Sequence, residues 1–359
     1  MQTDVLIAGG GLSGLALADQ LARSGRDFVL VEAQGRLGGR ILSLPLAGSR
    51  FDLGPAWFWP GQPRMAALAR RFELPVFAQY TSGDVVFQDR SGAVQRMQGG
   101  GAAQQDAYRI DGGMQSLTDA LTATLDPNRL RLGQPLRALH RNAHAIDAHL
   151  DSGQVIEARH VVLAIPPRVV ATQVEFTPAL APDQTASLRA MPTWMAGQAK
   201  IIAVFDHPYW RQAGLSGDAF SHRGPMVEIH DASPRSGGPY ALFGFVGVPA
   251  QTRQTQAAAL LPAALEQLTT LFGPELGQPL DLRMQDWAGL PAIATPDDAQ
   301  MMQTHPRYGL SANLTDLWDG HVRLASTETA EDFGGYLEGA LTAADTTAQA
   351  LSHSAASAA

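Results

Sequence analysis

The chain has 359 residues, of which 45% are hydrophobic and 17% charged, with a net charge of -8 and no cysteine. This composition predicts about two domains with a large core, in a cytoplasmic protein that binds neither nucleic acid nor a membrane. Without cysteine, disulfides, thiolate metal sites, iron–sulfur clusters and cysteine nucleophiles are excluded. Of the 26 basic residues, 25 are arginine and one, Lys200, is lysine.

The first elements predicted along the chain are a strand, a glycine turn and a helix. An apolar run at residues 4–8 precedes Gly9, Gly11 and Gly14, which fit the pattern G-x-G-x-x-G. In a dinucleotide fold the first glycine makes the turn, the second admits the pyrophosphate, and the third allows close helix packing. Glu32 follows a second apolar run, 18 residues after Gly14, where a carboxylate accepts hydrogen bonds from a ribose.

A second glycine motif follows directly at residues 36–40, which read RLGGR. Together with the first turn and Glu32, this array resembles the FAD-binding start of the flavin amine oxidase superfamily, which includes monoamine, polyamine and L-amino-acid oxidases. The resemblance implies that Gly38, Gly39 and Arg40 run beside the pyrophosphate of FAD. The alternative is a Rossmann unit for NAD with arginines at its surface.

Residues 52–62 (DLGPAWFWPGQ) resemble the family segment that passes close to the flavin ring. Here Pro55 replaces the usual second glycine. The resemblance implies that Trp57 lies beside the isoalloxazine, whereas Phe58 fits a core position equally well. Further on, Leu136 matches the residue whose backbone binds the adenine.

The strand predicted at residues 199–205 contains Lys200, and the sequence DHPYWRQAGLSG follows it. This stretch is similar to the family's lysine strand, in which the lysine hydrogen-bonds through a water to flavin N5. The lysine-poor composition strengthens the assignment, since genome bias explains arginine on a solvated surface but not one retained lysine.

The segment STETAEDFGGYLEGA at residues 326–340 resembles the family's closing motif, with Ser326 in place of the usual glycine. It implies a helix N-terminus at flavin N1 and the C2 carbonyl, with Tyr336 as an aromatic wall of the substrate site. Trp287 matches a second family aromatic. Residues 292–294 (AIA) offer neither a thiol nor a ring, so FAD is expected to be noncovalent and the aromatic cage half built, which disfavours benzylic and phenethyl amines.

The expected fold is α/β, with a glutathione-reductase-like Rossmann domain for FAD and an inserted smaller α+β substrate domain. Residues 1–60, 108–180 and 283–359 are assigned to the FAD domain, and residues 61–107 and 181–282 to the substrate domain. No metal site is expected. The expected catalytic residues are Lys200, Tyr336, Trp287 and Trp57. The expected cofactor-binding residues are Gly9, Gly11, Ser13, Gly14, Glu32, Ala33, Arg36, Gly38, Gly39, Arg40, Gly54, Pro55, Ala56, Trp57, Leu136, Thr327, Glu328, Gly335, Tyr336 and Leu337.

The function implied by the resemblance is FAD-dependent oxidation of an amine or amino acid. Hydride passes to flavin N5, the imine is hydrolysed to a carbonyl compound and ammonia or an amine, and dioxygen is reduced to hydrogen peroxide. Its partners would be a small-molecule amine and dioxygen or another electron acceptor. The alternatives are a desaturase or protoporphyrinogen-oxidase-like enzyme, an amine dehydrogenase, and a non-enzymatic FAD-binding module.

Overall fold

Two large β-sheets dominate the computed structural model, which describes residues 1–98, 106–300, 302 and 304–357. The first sheet has eight strands: β1 (Gln2–Ala8), β2 (Phe28–Val31), β9 (Leu130–Arg131), β10 (Leu136–Arg141), β11 (Ile146–Leu150), β12 (Val155–Leu163), β13 (Glu175–Thr177) and β19 (Val322–Leu324). The second has seven: β6 (Asp84–Gln88), β7 (Val94–Met97), β14 (Ala199–Phe205), β15 (Leu215–Ser221), β16 (Met226–Asp231), β17 (Tyr240–Val246) and β18 (Asp281–Asp286).

Two short hairpins and a set of helices complete the fold. Strand β3 (Ser43–Leu46) pairs with β4 (Ser49–Asp52), and β5 (Val76–Ala78) pairs with β8 (Tyr108–Ile110). The helices are α1 (Leu12–Arg23), α2 (Pro63–Arg71), α3 (Gln115–Ala123), α4 (Pro167–Gln173), α5 (Pro182–Ala190), α6 (Tyr209–Gln212), α7 (Ala250–Phe272) and α8 (Leu337–Ser357).

Strand β1 lies at the centre of the first sheet, parallel to both β2 and β12. Its side chains alternate between two cores: Val5 and Ile7 pack with helices α1, α3 and α8, and Leu6 and Ala8 pack on the opposite face. Because both faces are covered, the strand is a continuous apolar run. The parallel strands expected of a Rossmann domain are therefore present around β1, whereas β11 pairs antiparallel with β10 and β12.

Strand β14 holds the same central place in the second sheet, between β17 and β18. Ile201 and Ala203 pack against helix α7, whereas Ile202 and Val204 face the hairpin of β3 and β4. Lys200 shares the second face because alternate residues of a strand point the same way. The lysine is thereby directed towards the end of this hairpin.

Some elements lie across the domain boundaries expected from the sequence. Met65 of α2 and Leu188 of α5 pack into the cores of the first sheet, although both helices fall in segments assigned to the substrate domain. Strand β18 belongs to the second sheet and spans the boundary at residue 283. The division into two domains at these boundaries stays a prediction, because a sequence pattern does not show which sheet a helix covers.

The described residues contain no helix long and apolar enough to cross a membrane. Within the same parts of the chain, no group of three or more histidine and acidic side chains is placed to hold a metal ion.

Arg253 joins helix α7 to the second sheet from a fully buried position. Its guanidinium donates to both carboxylate oxygens of Asp286, at 2.6 and 2.7 Å, and to the carbonyls of Gly197 and Val248. We expect Arg253→Met to lower the free energy of unfolding by about 3 kcal/mol, because it leaves these acceptors unpaired. Urea denaturation followed by circular dichroism measures the change. Arg283→Met, which removes an exposed ion pair from the same sheet, should cost less than about 1 kcal/mol; equal losses would contradict the role of Arg253.

Candidate active site

A cavity of about 430 Å³ is lined by residues of both sheets. At one end lie the turn after β1 and the carboxylate of Glu32, and at the other lie Lys200 and a set of aromatic side chains. The cavity therefore connects the predicted dinucleotide-binding turn with the predicted catalytic lysine.

The glycines of the turn meet two different constraints. Gly9 has a φ of +110°, which L-residues rarely adopt, and a Cβ on Gly14 would lie 1.9 Å from the Gly9 carbonyl oxygen. A Cβ on Gly11 would meet nothing closer than Gly39 Cα at 3.9 Å. Gly14 is thus required by the packing of α1 on β1, whereas Gly11 leaves open space that a ligand can occupy.

Glu32 closes the dinucleotide end of the cavity with an almost fully buried carboxylate. One oxygen accepts from the Gly10 amide and the other from the Gln34 amide, both at 2.7 Å. Burial raises the pKa of this carboxyl above its usual value, because the charged form loses hydration. The two amides orient the carboxylate, as expected for a group that accepts from a ribose.

Three residues expected at the cofactor lie behind the cavity wall instead. Gly14 packs against β1, and Arg36 donates to the carbonyls of Gly39 and Ile41, which holds the second glycine turn. Glu328 is fully buried, and its carboxylate accepts hydrogen bonds from Nη1 and Nη2 of Arg40, at 2.6 and 3.2 Å. These three residues support residues that line the cavity, and their direct contact with the cofactor stays a prediction. Every other expected residue lies in its wall.

Lys200 reaches the cavity from β14 with a side chain that is only 4% exposed. Its Nζ donates to the carbonyl oxygens of Gly54, at 2.6 Å, and Asp52, at 3.4 Å, and lies 4.0 Å from the centre of the Phe243 ring. Burial lowers the pKa of Lys200 to about 7, against a weaker upward influence of the Asp52 carboxylate. Near neutral pH this amine is therefore partly deprotonated.

Aromatic side chains from both layers form the wall near Lys200. Trp57 donates to the Gln79 side chain at 2.9 Å, and Trp287 donates to the Leu53 carbonyl at 3.0 Å. Phe245 lies beside Trp57 with ring centres 6.5 Å apart. Fixed indole N–H groups keep these rings in place while their faces remain available to a ligand.

Trp59 was missed from the sequence, although it also lines the cavity. Its ring stands perpendicular to that of Tyr336, with centroids 6.2 Å apart, and Phe58 between the two tryptophans is buried in the core. The signal in the sequence was the spacing: in extended backbone Trp57 and Trp59 point to the same side, and Phe58 between them points to the other. As expected, Ala292 and Ile293 contribute no ring, but Trp59 supplies an aromatic surface from another element.

A family model described as flavin containing amine oxidoreductase matches residues 12–100 and 90–352. The chain therefore belongs to this family of FAD-dependent enzymes.

Individual relatives cover nearly the whole chain. The Mycobacterium tuberculosis protein called "Putative flavin-containing monoamine oxidase AofH" is 26% identical over 451 aligned positions, covering 94% of each chain. Putrescine oxidase of Kocuria rosea is 21% identical, covering 95% of this chain and 93% of its own. The solved structure of cyclohexylamine oxidase from Brevibacterium oxydans superposes with a TM-score of 0.82 at 18% identity, over 98% of this chain and 99% of its own. The fold is thus that of amine oxidases.

FAD is the cofactor of this family, and the cavity fits it. The space at Gly11, the neighbouring turn at Gly39 and the oriented Glu32 carboxylate meet the needs of a pyrophosphate and a ribose. Because the chain has no cysteine, the flavin has no thiol to which it could be linked.

Two alanine substitutions separate packing from cofactor binding at the glycine turn. We expect Gly14→Ala to lower the urea midpoint of the FAD-free protein, because its Cβ would overlap the Gly9 carbonyl. Gly11→Ala should leave that midpoint nearly unchanged but weaken FAD binding by roughly tenfold or more, since its Cβ points into open space. Fluorescence titration with FAD measures the affinity. Unchanged FAD affinity in the Gly11 variant would contradict the assignment of this space to the cofactor.

Proposed function

We propose that the protein oxidises a small amine at the carbon next to nitrogen, giving an imine that water hydrolyses to a carbonyl compound and ammonia or an amine. Dioxygen is the proposed electron acceptor and hydrogen peroxide the second product. The observation that carries this proposal is the burial of Lys200 in an aromatic-walled cavity that continues to the dinucleotide-binding turn. The names of the relatives, which are amine oxidases, support an amine as the substrate.

Bound FAD supplies the electron acceptor for the carbon–hydrogen bond of the substrate. The protein's own contribution at this point is Lys200. A neutral lysine has two hydrogens, which match its two carbonyl acceptors, Gly54 and Asp52, and a lone pair that remains available to a water molecule. Lys200 would therefore hold one water in a fixed orientation inside the cavity.

The aromatic wall would orient the amine and exclude bulk water. Tyr336 and Trp59 present rings at 90° to each other, and Trp57 and Trp287 are held by hydrogen bonds at their indole nitrogens. Such faces accommodate an apolar carbon chain and attract an ammonium group. Of the residues predicted at the cofactor, those that line the cavity are proposed to bind FAD; Gly9 is the first of them along the chain and Leu337 the last.

The two sheets are proposed to divide these tasks. The first sheet, with α1 and α8, provides the turn, Glu32 and the residues after β19, and thus the FAD domain. The second sheet provides Lys200 and Phe245, and thus the substrate domain.

Substitution of Lys200 tests its part in the reaction. We expect Lys200→Met to slow flavin reduction by roughly 100-fold, the scale of a lost proton-transfer or water-positioning group, while FAD remains bound. Stopped-flow absorbance at saturating amine measures the rate, and the visible spectrum reports bound FAD. Lys200→Arg should be equally slow, because a guanidinium does not become neutral; recovery of the wild-type rate by arginine would contradict the proposal.

The pH dependence of the wild-type protein provides an independent test. The pKa of about 7 means that Lys200 is charged below this pH and neutral above it. We expect the rate constant for flavin reduction at saturating amine to rise as the pH increases through about 7. In Lys200→Met this transition should be absent. An identical transition in the variant would assign the titration to another group.

Trp59 is expected to set affinity for bulky amines. Trp59→Leu should weaken benzylamine binding by about tenfold through loss of an aromatic face, with about twofold or less for propylamine. Dissociation constants from the amine dependence of flavin reduction provide the comparison. Equal weakening of both amines would indicate a general disturbance of the cavity rather than a wall at Trp59.

A further inference from the structure

One glutamine of the cavity wall, Gln198, lies on the same side of the second sheet as Lys200. It directly precedes β14, both residues line the cavity, and alternate residues of an extended strand point the same way. The Gln198 carbonyl accepts from the Trp287 amide at 3.0 Å, which continues the pairing of β14 with β18. The Cα atoms of Gln198 and Lys200 are therefore about 7 Å apart along the strand, and Gln198 lies beside an aromatic ring of the wall.

The backbone at Gln198 is held in place by its neighbours. Its amide donates to the Met195 carbonyl at 3.1 Å, which closes a turn in which Met195 has a φ of +61°. Residues other than glycine rarely adopt this φ, and such strain persists only where the surrounding structure enforces it. The buried Arg253 donates to the Gly197 carbonyl at 2.9 Å, and a Cβ on Gly197 would overlap the Asp298 carbonyl oxygen. The residue that precedes the lysine strand is therefore fixed at the wall.

The side-chain amide of Gln198, in contrast, has no hydrogen-bond partner among the residues that the structure describes. The residue is half-buried and borders the cavity. Two other glutamines of the wall do have partners: Gln62 accepts from the Trp59 amide at 3.3 Å, and Gln173 donates to the Pro291 carbonyl at 2.7 Å. An amide on a fixed backbone, with a free donor and a free acceptor, is a group to which a ligand can form hydrogen bonds.

The charges of the cavity wall limit the kind of group that this amide can bind. Among the described residues of the wall, Glu32 is the one carboxylate, and it lies at the dinucleotide end. The cations of this described wall are Arg40, which is paired with Glu328, and Lys200, whose pKa is lowered to about 7. A second ammonium or a carboxylate on the substrate would therefore lack a counterion near Gln198, and burial of an unpaired charge is costly. An uncharged polar group meets no such cost.

We propose that Gln198 binds a hydroxyl group of the substrate, so that the preferred substrates are amino alcohols. This inference rests on the proposed amine oxidation and names a substrate class for it. A hydroxyl donates one hydrogen bond and accepts another, and the carboxamide of Gln198 offers an acceptor and a donor. The carbon chain between the hydroxyl and the reacting nitrogen would lie along Trp287, whose ring is fixed by its hydrogen bond to the Leu53 carbonyl.

The test compares amino alcohols with alkylamines in which a methyl group replaces the hydroxyl. The pairs are 3-aminopropan-1-ol with butylamine, 4-aminobutan-1-ol with pentylamine, and 5-aminopentan-1-ol with hexylamine, and flavin reduction is followed anaerobically. Gln198→Met keeps a side chain of similar length but removes the amide. We expect the ratio of reduction rate to dissociation constant to fall roughly 5- to 10-fold for the best amino alcohol, the scale of one lost hydrogen bond. For the matched alkylamine the change should be about twofold or less.

A shorter amide at the same position provides a geometric test. Gln198→Asn keeps the carboxamide but withdraws it from the cavity by one methylene group. The best amino alcohol should then be one carbon longer than in the wild-type protein, because a longer chain is needed to reach the amide. A purely structural role of Gln198 would leave the preferred chain length unchanged. A retained preference for amino alcohols with the same optimum length would contradict a direct hydrogen bond.

Gln173→Met is the matched control, because Gln173 also lines the cavity but its amide is held by the Pro291 carbonyl. This variant should affect the two members of each pair equally. FAD content and thermal unfolding verify that each variant is folded. Calorimetric titration of the dithionite-reduced protein, in which the flavin can accept no further electrons, measures amine binding without turnover. It should show the same selective loss in Gln198→Met.

The outcomes distinguish the hydroxyl site from the proposed function. If alkylamines reduce the flavin and Gln198→Met affects both members of each pair equally, the hydroxyl site is wrong and the amine oxidation stands. If the calorimeter shows the selective loss in Gln198→Met but no amine reduces the flavin of the wild-type protein, the hydroxyl site stands and the proposed function is wrong. If Gln198→Met lowers the FAD content without changing amine selectivity, or if Gln173→Met causes the same selective loss, the hydroxyl site is wrong.

Discussion

The buried amine of Lys200 is the interaction on which the arrangement of the active site depends. An amine removed from water needs hydrogen-bond acceptors, and here both come from the backbone at Asp52 and Gly54, where the β3–β4 hairpin ends. The lysine itself comes from the centre of the second sheet. Its hydrogen bonds therefore join the second sheet to the end of this hairpin at the cavity wall, and the same burial lowers its pKa to about 7.

The two ends of the cavity follow from different physical requirements. At the dinucleotide end, close packing excludes side chains from Gly9 and Gly14, whereas Gly11 leaves open the space that is proposed to hold the cofactor. At the amine end, hydrogen bonds hold indole rings so that their faces line the wall. The polar end of the cavity and its aromatic end are thus both rigid, and Lys200 lies in the wall of the same cavity. This combination is suited to holding a charged cofactor against an apolar substrate.

Much of this could be predicted from the sequence, because short motifs with fixed geometry determine it. The glycine turn, the position of Glu32, the lysine strand and the helix after Tyr336 are local features, and the structure has each of them. What the sequence did not show depends on contacts between distant segments. Arg36 and Glu328 carry charges typical of a cofactor site, yet backbone carbonyls and Arg40 engage them behind the wall. The sheet covered by α2 or α5, and the place of Trp59 opposite Tyr336, likewise depend on tertiary packing rather than on spacing.

Anaerobic mixing of the purified protein with primary amines, followed at the visible absorption band of the flavin, tests most directly whether this lysine-centred cavity oxidises amines. The expected result is a yellow protein whose absorption is bleached by at least one amine and restored by air. A yellow protein that no monoamine, diamine or polyamine bleaches, or a colourless one that takes up no FAD, would contradict the assignment.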